Sequence, residues 1–203
     1  PAQSMPDQTL IDEALKTAEF IIVQEAFGHT ETCHYADLLL PASTWGEKDG
    51  TVTNSERAIS RVRPAVPAPG EARHDWAIVV DFARRLGARL GKAELAARMF
   101  PYATPEEIWN EHRESTRGRD LDITGLSYAL LENSGPQQWP FPEGASRGKL
   151  RLYEDGVFPT PSGRARFVVT EHRITAESPS ARYPLHLNTG RLRDQWHGMS
   201  RTG

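Results

Sequence analysis

The sequence predicts an α/β fold, and three observations carry the prediction. Leu38, Leu39 and Leu40 form a continuous apolar run, as in a strand buried on both faces of a parallel sheet. Phe20, Ile21, Ile22 and Val23 form a second apolar run, rich in β-branched residues. Around these runs lie segments whose apolar residues recur at three- and four-residue spacing, the mark of amphipathic helices.

In chain order, Leu10, Ile11, Ala14, Leu15 and Ala18 make the first helical stripe, with Ser4 or Asp7 as its cap. The strand over residues 20–23 then delivers Gln24 and Glu25 to its carboxyl end. Residues 26–36 lead to the strand over 38–40 and leave room for only a short helix. Pro41 lacks a backbone donor and stops that strand. The polar stretch behind it carries Trp45, Glu47, Lys48, Gly50, Thr53, Asn54, Glu56 and Arg57, and it stands where ligands gather in open α/β sheets, outside a strand's carboxyl end. Ile59, Val62, Pro64, Pro67 and Pro69 read as an extended surface loop.

Trp76, Ile78, Val79, Phe82, Ala83 and Leu86 predict a helix that Asp75 caps and Gly87 stops. Thr104, Pro105 and Glu107 occupy the capping-box positions of a helix over 105–114. A third, short helix is expected over 125–131. The Gly, Pro, Ser and Gln content of 132–147 marks a boundary, and 149–153, 164–169 and 184–188 read as short strands, with a Thr160-Pro161-Ser162-Gly163 turn before the second. The last strand delivers Thr189, Gly190 and Arg191, then Gln195, Trp196 and His197. Gly190 permits close backbone approach, Arg191 offers a bidentate fork for phosphate, Asn54 and Gln195 suit the edge of a heterocycle, and Trp196 suits stacking.

Composition narrows the function classes. Of 203 residues, 38% are hydrophobic and 25% charged, with a formal net charge of -3, so no basic surplus exists to neutralise a nucleic-acid backbone. No apolar run approaches the roughly 20 residues that span a bilayer, and no membrane association is expected. One Cys excludes an internal disulfide framework and suits a reducing, cytoplasmic setting. His29, Cys33 and His34 stand close together without a further ligand pair, so no metal site is expected here. Trp45 and Trp139 read as packing residues. The chain starts at Pro1 and stops at Gly203 directly behind a motif-rich segment, and we expect it to be a piece of a larger protein.

The segments ADLLLPASTWGEKDGTVTNSERAISRVR, PGEARHDW, GRDLDITGLSYALL with QQWPFP, and LNTGRLRDQWHGMSRTG together resemble the bis-molybdopterin guanine dinucleotide oxidoreductases, over essentially the whole chain. The first two occur across nitrate reductases and formate dehydrogenases of that family. The last two resemble the assimilatory nitrate reductases more narrowly. The resemblance implies part of a parallel-sheet α/β cofactor domain over 1–131, a linker with short strands over 132–182, and the start of a β-barrel cofactor domain over 183–203. It implies cofactor contacts from Gln24, Glu25, Lys48 and Asp75, with Glu25 placed to accept from a ribose or guanine. From the second loop it implies Thr189, Gly190, Arg191, Leu192, Gln195, Trp196, His197 and Gly198. Lys48 is the leading contact of the first loop, and Arg57 holds that loop's shape. Where the family often has Glu-Arg-Arg, this chain has Glu56, Arg57 and Ala58, so nothing is assigned to a second basic residue. The molybdenum ligand and the cysteines of a 4Fe-4S cluster lie upstream of the matched segment in that family, and Cys33 does not match that ligand. The implied intact enzyme reduces nitrate to nitrite with electrons from a donor protein or reductase subunit, and this piece is expected to be inactive alone. The rival readings are a formate dehydrogenase of the same superfamily and a non-catalytic nucleotide-binding module.

Overall fold

The structure is a computed structural model and describes residues 1, 2, 4–188 and 190. They fall into two units, Pro1–Asp155 and Gly156–Gly203.

In the first unit, Asp7 accepts a hydrogen bond from Leu10 N and opens α1 (Gln8–Thr17), as the sequence predicts. β1 (Ile22–Glu25) and β2 (Leu38–Pro41) pair in parallel, Val23 opposite Leu39. The parallel pairing agrees with the predicted class, but burial on both faces is not found. Leu38 and Leu39 are 42% and 39% exposed, and only Val23 of the two strands is buried. Two strands without helices laid over both faces cannot shield their side chains. Pro41 does not end the pairing either: it sits opposite Glu25, and Ala42 N donates to Glu25 O at 3.0 Å. In a two-stranded sheet each strand is an edge, where a missing donor is tolerated.

The stretch behind Pro41 is not one loop. A 3-10 turn at Trp45–Glu47 leads into β3 (Gly50–Thr53), which pairs antiparallel with β4 (Ala58–Val62), and β5 (Gln137–Gln138) extends the sheet from β4. The hairpin tip is an Asx-type turn in which Asn54 Oδ1 accepts from Glu56 N and Ala58 N, at 3.0 and 2.9 Å. Ile59, predicted to lie in a surface loop, is therefore a strand residue and is buried. It joins Trp109, Ile123, Leu126, Tyr128, Leu131 and Phe141 in one core.

α2 (Asp75–Arg89) runs through Gly87 rather than stopping there. α3 (Ala93–Met99), which the sequence reading lacks, crosses at that point, and a Cβ on Gly87 would overlap that of Ala96. The glycine beyond the helix end is Gly91, with φ of 67°. Ile78 and Val80 are buried, while Val79, Phe82 and Leu86 of the predicted apolar stripe stay about half exposed. α4 (Pro105–Glu114) has the predicted capping box: Glu107 N donates to Thr104 Oγ1 and Thr104 N donates to Glu107 Oε2. α5 (Tyr128–Ser134) begins later than expected, because Ser127 caps it while Gly125 N donates to Phe141 O.

Residues 132–147, read as a boundary, carry β5 and the buried Phe141 and pack into this unit. Residues 149–153 form turns instead of a strand. In the second unit the Thr160 to Gly163 turn closes as read, Gly163 N donating to Thr160 O at 3.0 Å. The strands expected at 164–169 and 184–188 are not formed. A strand needs a ladder partner, and none is paired to these segments among the described residues; Phe167 and Leu187 stand 92% and 94% exposed. No helix of the described residues is long and apolar enough to cross a membrane.

Candidate cofactor-binding site

The backbone itself brings the carboxyl end of β2, beside that of β1, and the amino end of α2 together. Arg73 N donates to Pro41 O at 3.1 Å and Ser43 N donates to Arg73 O at 2.9 Å, so residue 73 forms a parallel bridge with Ala42. Two residues later α2 begins. His74 is its N-cap residue, without a side-chain capping bond, and Asp75 is the first helical residue rather than the cap. A carboxylate there still complements the positive end of the helix.

Asp75 is the hub of the site. Gln24 Nε2 donates to Asp75 Oδ1 at 2.7 Å, and Lys48 Nζ lies 2.5 Å from Asp75 Oδ2. Three of the four contacts inferred for the first loop thus meet at one carboxylate, across 51 residues of sequence between Gln24 and Asp75. Desolvation pushes the Asp75 carboxyl pKa up, and the bonds from Lys48 and Gln24 outweigh it and hold the group below its ordinary value. It is ionised at neutral pH. Its side chain is half exposed; it also accepts from its own backbone N–H, which leaves about one of a carboxylate's four lone-pair directions for an incoming donor.

The other inferred residues divide. Glu25 Oε1 accepts from Ala26 N and Phe27 N, at 2.7 and 3.3 Å, so its carboxylate folds back on its own turn. Asn54 closes the hairpin tip, and its Nδ2 donates to Glu56 Oε1 at 3.2 Å, which engages it in the turn rather than presenting it to a heterocycle. Arg57 has the shape-holding place expected of it: in the left-handed region at φ 70°, it donates to the carbonyls of Trp139, Lys149 and Leu150. Trp139 packs against the core as read, but Trp45 does not pack: it is 65% exposed, with Lys48 Nζ 5.6 Å from its ring centroid. Gly190 is exposed, with open space where a side chain would stand. Thr189, Arg191, Leu192, Gln195, Trp196, His197 and Gly198 lie outside the described residues.

Cys33 Sγ sits 3.1 Å from Thr30 Oγ1, and His34 lies 3.7 Å from Glu31. Among the described residues no three His, Cys, Asp or Glu side chains converge as a metal site. Asp49 and Arg61 are not singled out by the sequence, yet they form a largely buried ion pair beside Lys48. The readable signal for them was the β-branched run of Thr51, Val52 and Thr53 facing Ile59 and Val62 across an Asn-led turn. A carboxylate, an amide and an ammonium at a helix start suit the polar edge of a heterocycle or a ribose, and they contain no nucleophile–base pair.

Residues 1–85 match the family described as Molybdopterin oxidoreductase. The chain is 40% identical over 207 residues to the nitrate reductase of Synechocystis sp., an alignment covering 100% of this chain and 28% of that protein. It is 38% identical to the assimilatory nitrate reductase catalytic subunit of Bacillus subtilis, over 95% of this chain and 26% of that protein. The F420-dependent formate dehydrogenase subunit alpha of Methanocaldococcus jannaschii is also 38% identical, over 97% of this chain and 27% of that protein. The chain therefore spans little more than a quarter of the length of these curated relatives. Among solved structures, acetylene hydratase from Pelobacter acetylenicus shares the fold, with a TM-score of 0.51 and 21% identity over 77% of this chain and 19% of that one.

Proposed function

Residues 1–85 belong to the molybdopterin oxidoreductase family, and from that premise we propose that the chain is the carboxyl-side part of an assimilatory nitrate reductase, where it binds and orients a molybdopterin guanine dinucleotide. The observation that carries this reading is the meeting of Gln24, Lys48 and Asp75 at the carboxyl end of β1 and the start of α2. The donor set fits such a group. A carboxylate accepts from the ring N–H and exocyclic amine of a guanine, an ammonium suits its carbonyl or a phosphate oxygen, and an amide serves either.

In this reading Asp75 accepts from the base, Gln24 and Lys48 hold the carboxylate in place, and Glu25 meets the ribose after leaving its turn. Thr189, Gly190, Arg191, Leu192, Gln195, Trp196, His197 and Gly198 supply the second arm, at the start of a β-barrel domain over 183–203. When bound, a bis-molybdopterin guanine dinucleotide with molybdenum supplies the two-electron chemistry that removes an oxygen atom from nitrate and leaves nitrite. The residues of this chain only bind and orient; the metal ligand, a 4Fe-4S cluster and the docking site of an electron-donor protein belong to the rest of the subunit. A cytoplasmic setting agrees with the single Cys. The formate dehydrogenase reading keeps support from the 38% identity to that relative, and assays of the intact enzyme with nitrate and with formate separate the two.

The test is Lys48→Ala and Asp75→Ala in the intact subunit, with guanine nucleotide and molybdenum measured per polypeptide. Charge-assisted bonds contribute about 1.5–3 kcal/mol, so each variant should retain the nucleotide on the order of 10- to 100-fold less tightly. Full occupancy and wild-type activity in both would overturn the assignment.

A further inference from the structure

Lys48 is followed by Asp49 and Gly50, and one side chain holds both. Arg61, next to the carboxyl end of β4, donates from Nη1 to Asp49 Oδ1 at 2.7 Å, to Gly50 O at 2.6 Å and to Val62 O at 3.1 Å. Its Nε donates to Glu132 Oε1 at 3.1 Å, and the guanidinium lies 3.7 Å from the ring centroid of Tyr128. The side chain is only 10% exposed. The fork is thus anchored in the core by α5 and reaches out to the two residues behind Lys48. On the other side, Glu47 Oε2 accepts from Thr44 N at 2.8 Å and Glu47 N donates to Thr44 O at 3.1 Å, which closes the 3-10 turn.

We propose that Arg61 is a positioning residue for Lys48: through Asp49 and Gly50 it fixes the backbone from which the ammonium reaches Asp75 and, in the reading above, the guanine dinucleotide. The inference rests on that reading, because it concerns the same site. Its physical basis is the difference between a lysine on a free loop and one on a pinned loop. A free Lys48 would lose rotamer and backbone freedom on binding, whereas a pinned one has lost much of it already. The guanidinium holds Glu132 through Nε while Nη1 holds Asp49 and Gly50, a span that a compact ammonium does not cover.

The experiment uses the intact subunit and compares Lys48→Ala, Asp49→Ala, Arg61→Lys and Arg63→Ala. Asp49→Ala removes one contact of the fork and leaves those to Gly50, Val62, Glu132 and Tyr128. Arg63 pairs with Glu132 at 2.8 Å but is 68% exposed, touches neither Asp49 nor Gly50 among its described bonds, and serves as the structural control. The release rate of guanine nucleotide and the melting temperature are measured for each. We expect Asp49→Ala and Arg61→Lys to release nucleotide threefold to tenfold faster, Asp49→Ala with an unchanged melting temperature, while Arg63→Ala releases at the wild-type rate. Wild-type release in Asp49→Ala and Arg61→Lys beside fast release in Lys48→Ala overturns this inference alone. So does faster release in Arg63→Ala that scales with its melting temperature. Wild-type release in Lys48→Ala also overturns this inference, and wild-type release in Asp75→Ala beside it overturns the binding reading as well. If Arg61→Lys fails to fold, Asp49→Ala decides.

Discussion

The parallel pair β1–β2 and the antiparallel sheet β3–β4–β5 occupy the same unit and start from similarly short runs of β-forming residues. Their burial is opposite. In the parallel pair Ile22, Leu38 and Leu39 remain 39–44% exposed and only Val23 is buried, whereas in the antiparallel sheet Ile59 is 2% exposed and sits against Leu126 at 0%. The difference lies in what covers each sheet. α4 packs on β3 and α5 on β4, with Phe141 closing the core, while among the described residues β1 and β2 pair with each other, the Glu31–Tyr35 3-10 turn lies beside β1, and residue 73 bridges Ala42 just past β2. A strand's composition states what it would bury; the neighbouring elements decide whether it does.

Three substitutions in the 203-residue chain test that contrast, from the largest effect down. Leu126→Ala empties a fully buried position and should destabilise the first unit by about 3–5 kcal/mol, read by urea titration of tryptophan fluorescence; a loss under about 1 kcal/mol would mean that the core is not centred there. Gly87→Ala should cost about 1–3 kcal/mol, because overpacking against Ala96 exceeds the helix-propensity gain of about 1 kcal/mol. A more stable Gly87→Ala would show that α2 and α3 are not in close contact. Leu38→Thr, on the open face of β2, should shift stability by about 1 kcal/mol or less. A loss as large as that of Leu126→Ala would show that the parallel pair is covered after all.

The same contrast explains what was legible in the sequence. Local signals with a mechanism behind them were readable: the Asp7 cap, the Thr104–Glu107 capping box, and the parallel pairing of two apolar runs. Gln24, Lys48 and Asp75, named from motif positions, do meet at one carboxylate. What was not legible depends on long-range contact. Gly87 looks like a helix stop until α3 crosses it. Ile59 looks like a loop residue among prolines until Gln137 pairs beside it. Arg61 carries no motif of its own, because its partners, Asp49 and Glu132, lie 12 and 71 residues away. The expected strands at 164–169 and 184–188 failed for the converse reason, since alternating residues do not make a strand without another to pair with.

Gly87 also acts at a distance. It stands twelve residues beyond Asp75 on one continuous helix, so the two are separated by about 18 Å along the axis at 1.5 Å per residue. Over that arm a tilt of only about 3° displaces Asp75 by about 1 Å, enough to break a 2.7 Å hydrogen bond from Gln24. A side chain added at Gly87 that tilts α2 would therefore be felt at the carboxylate near its other end, as a push near the pivot of a lever swings its tip.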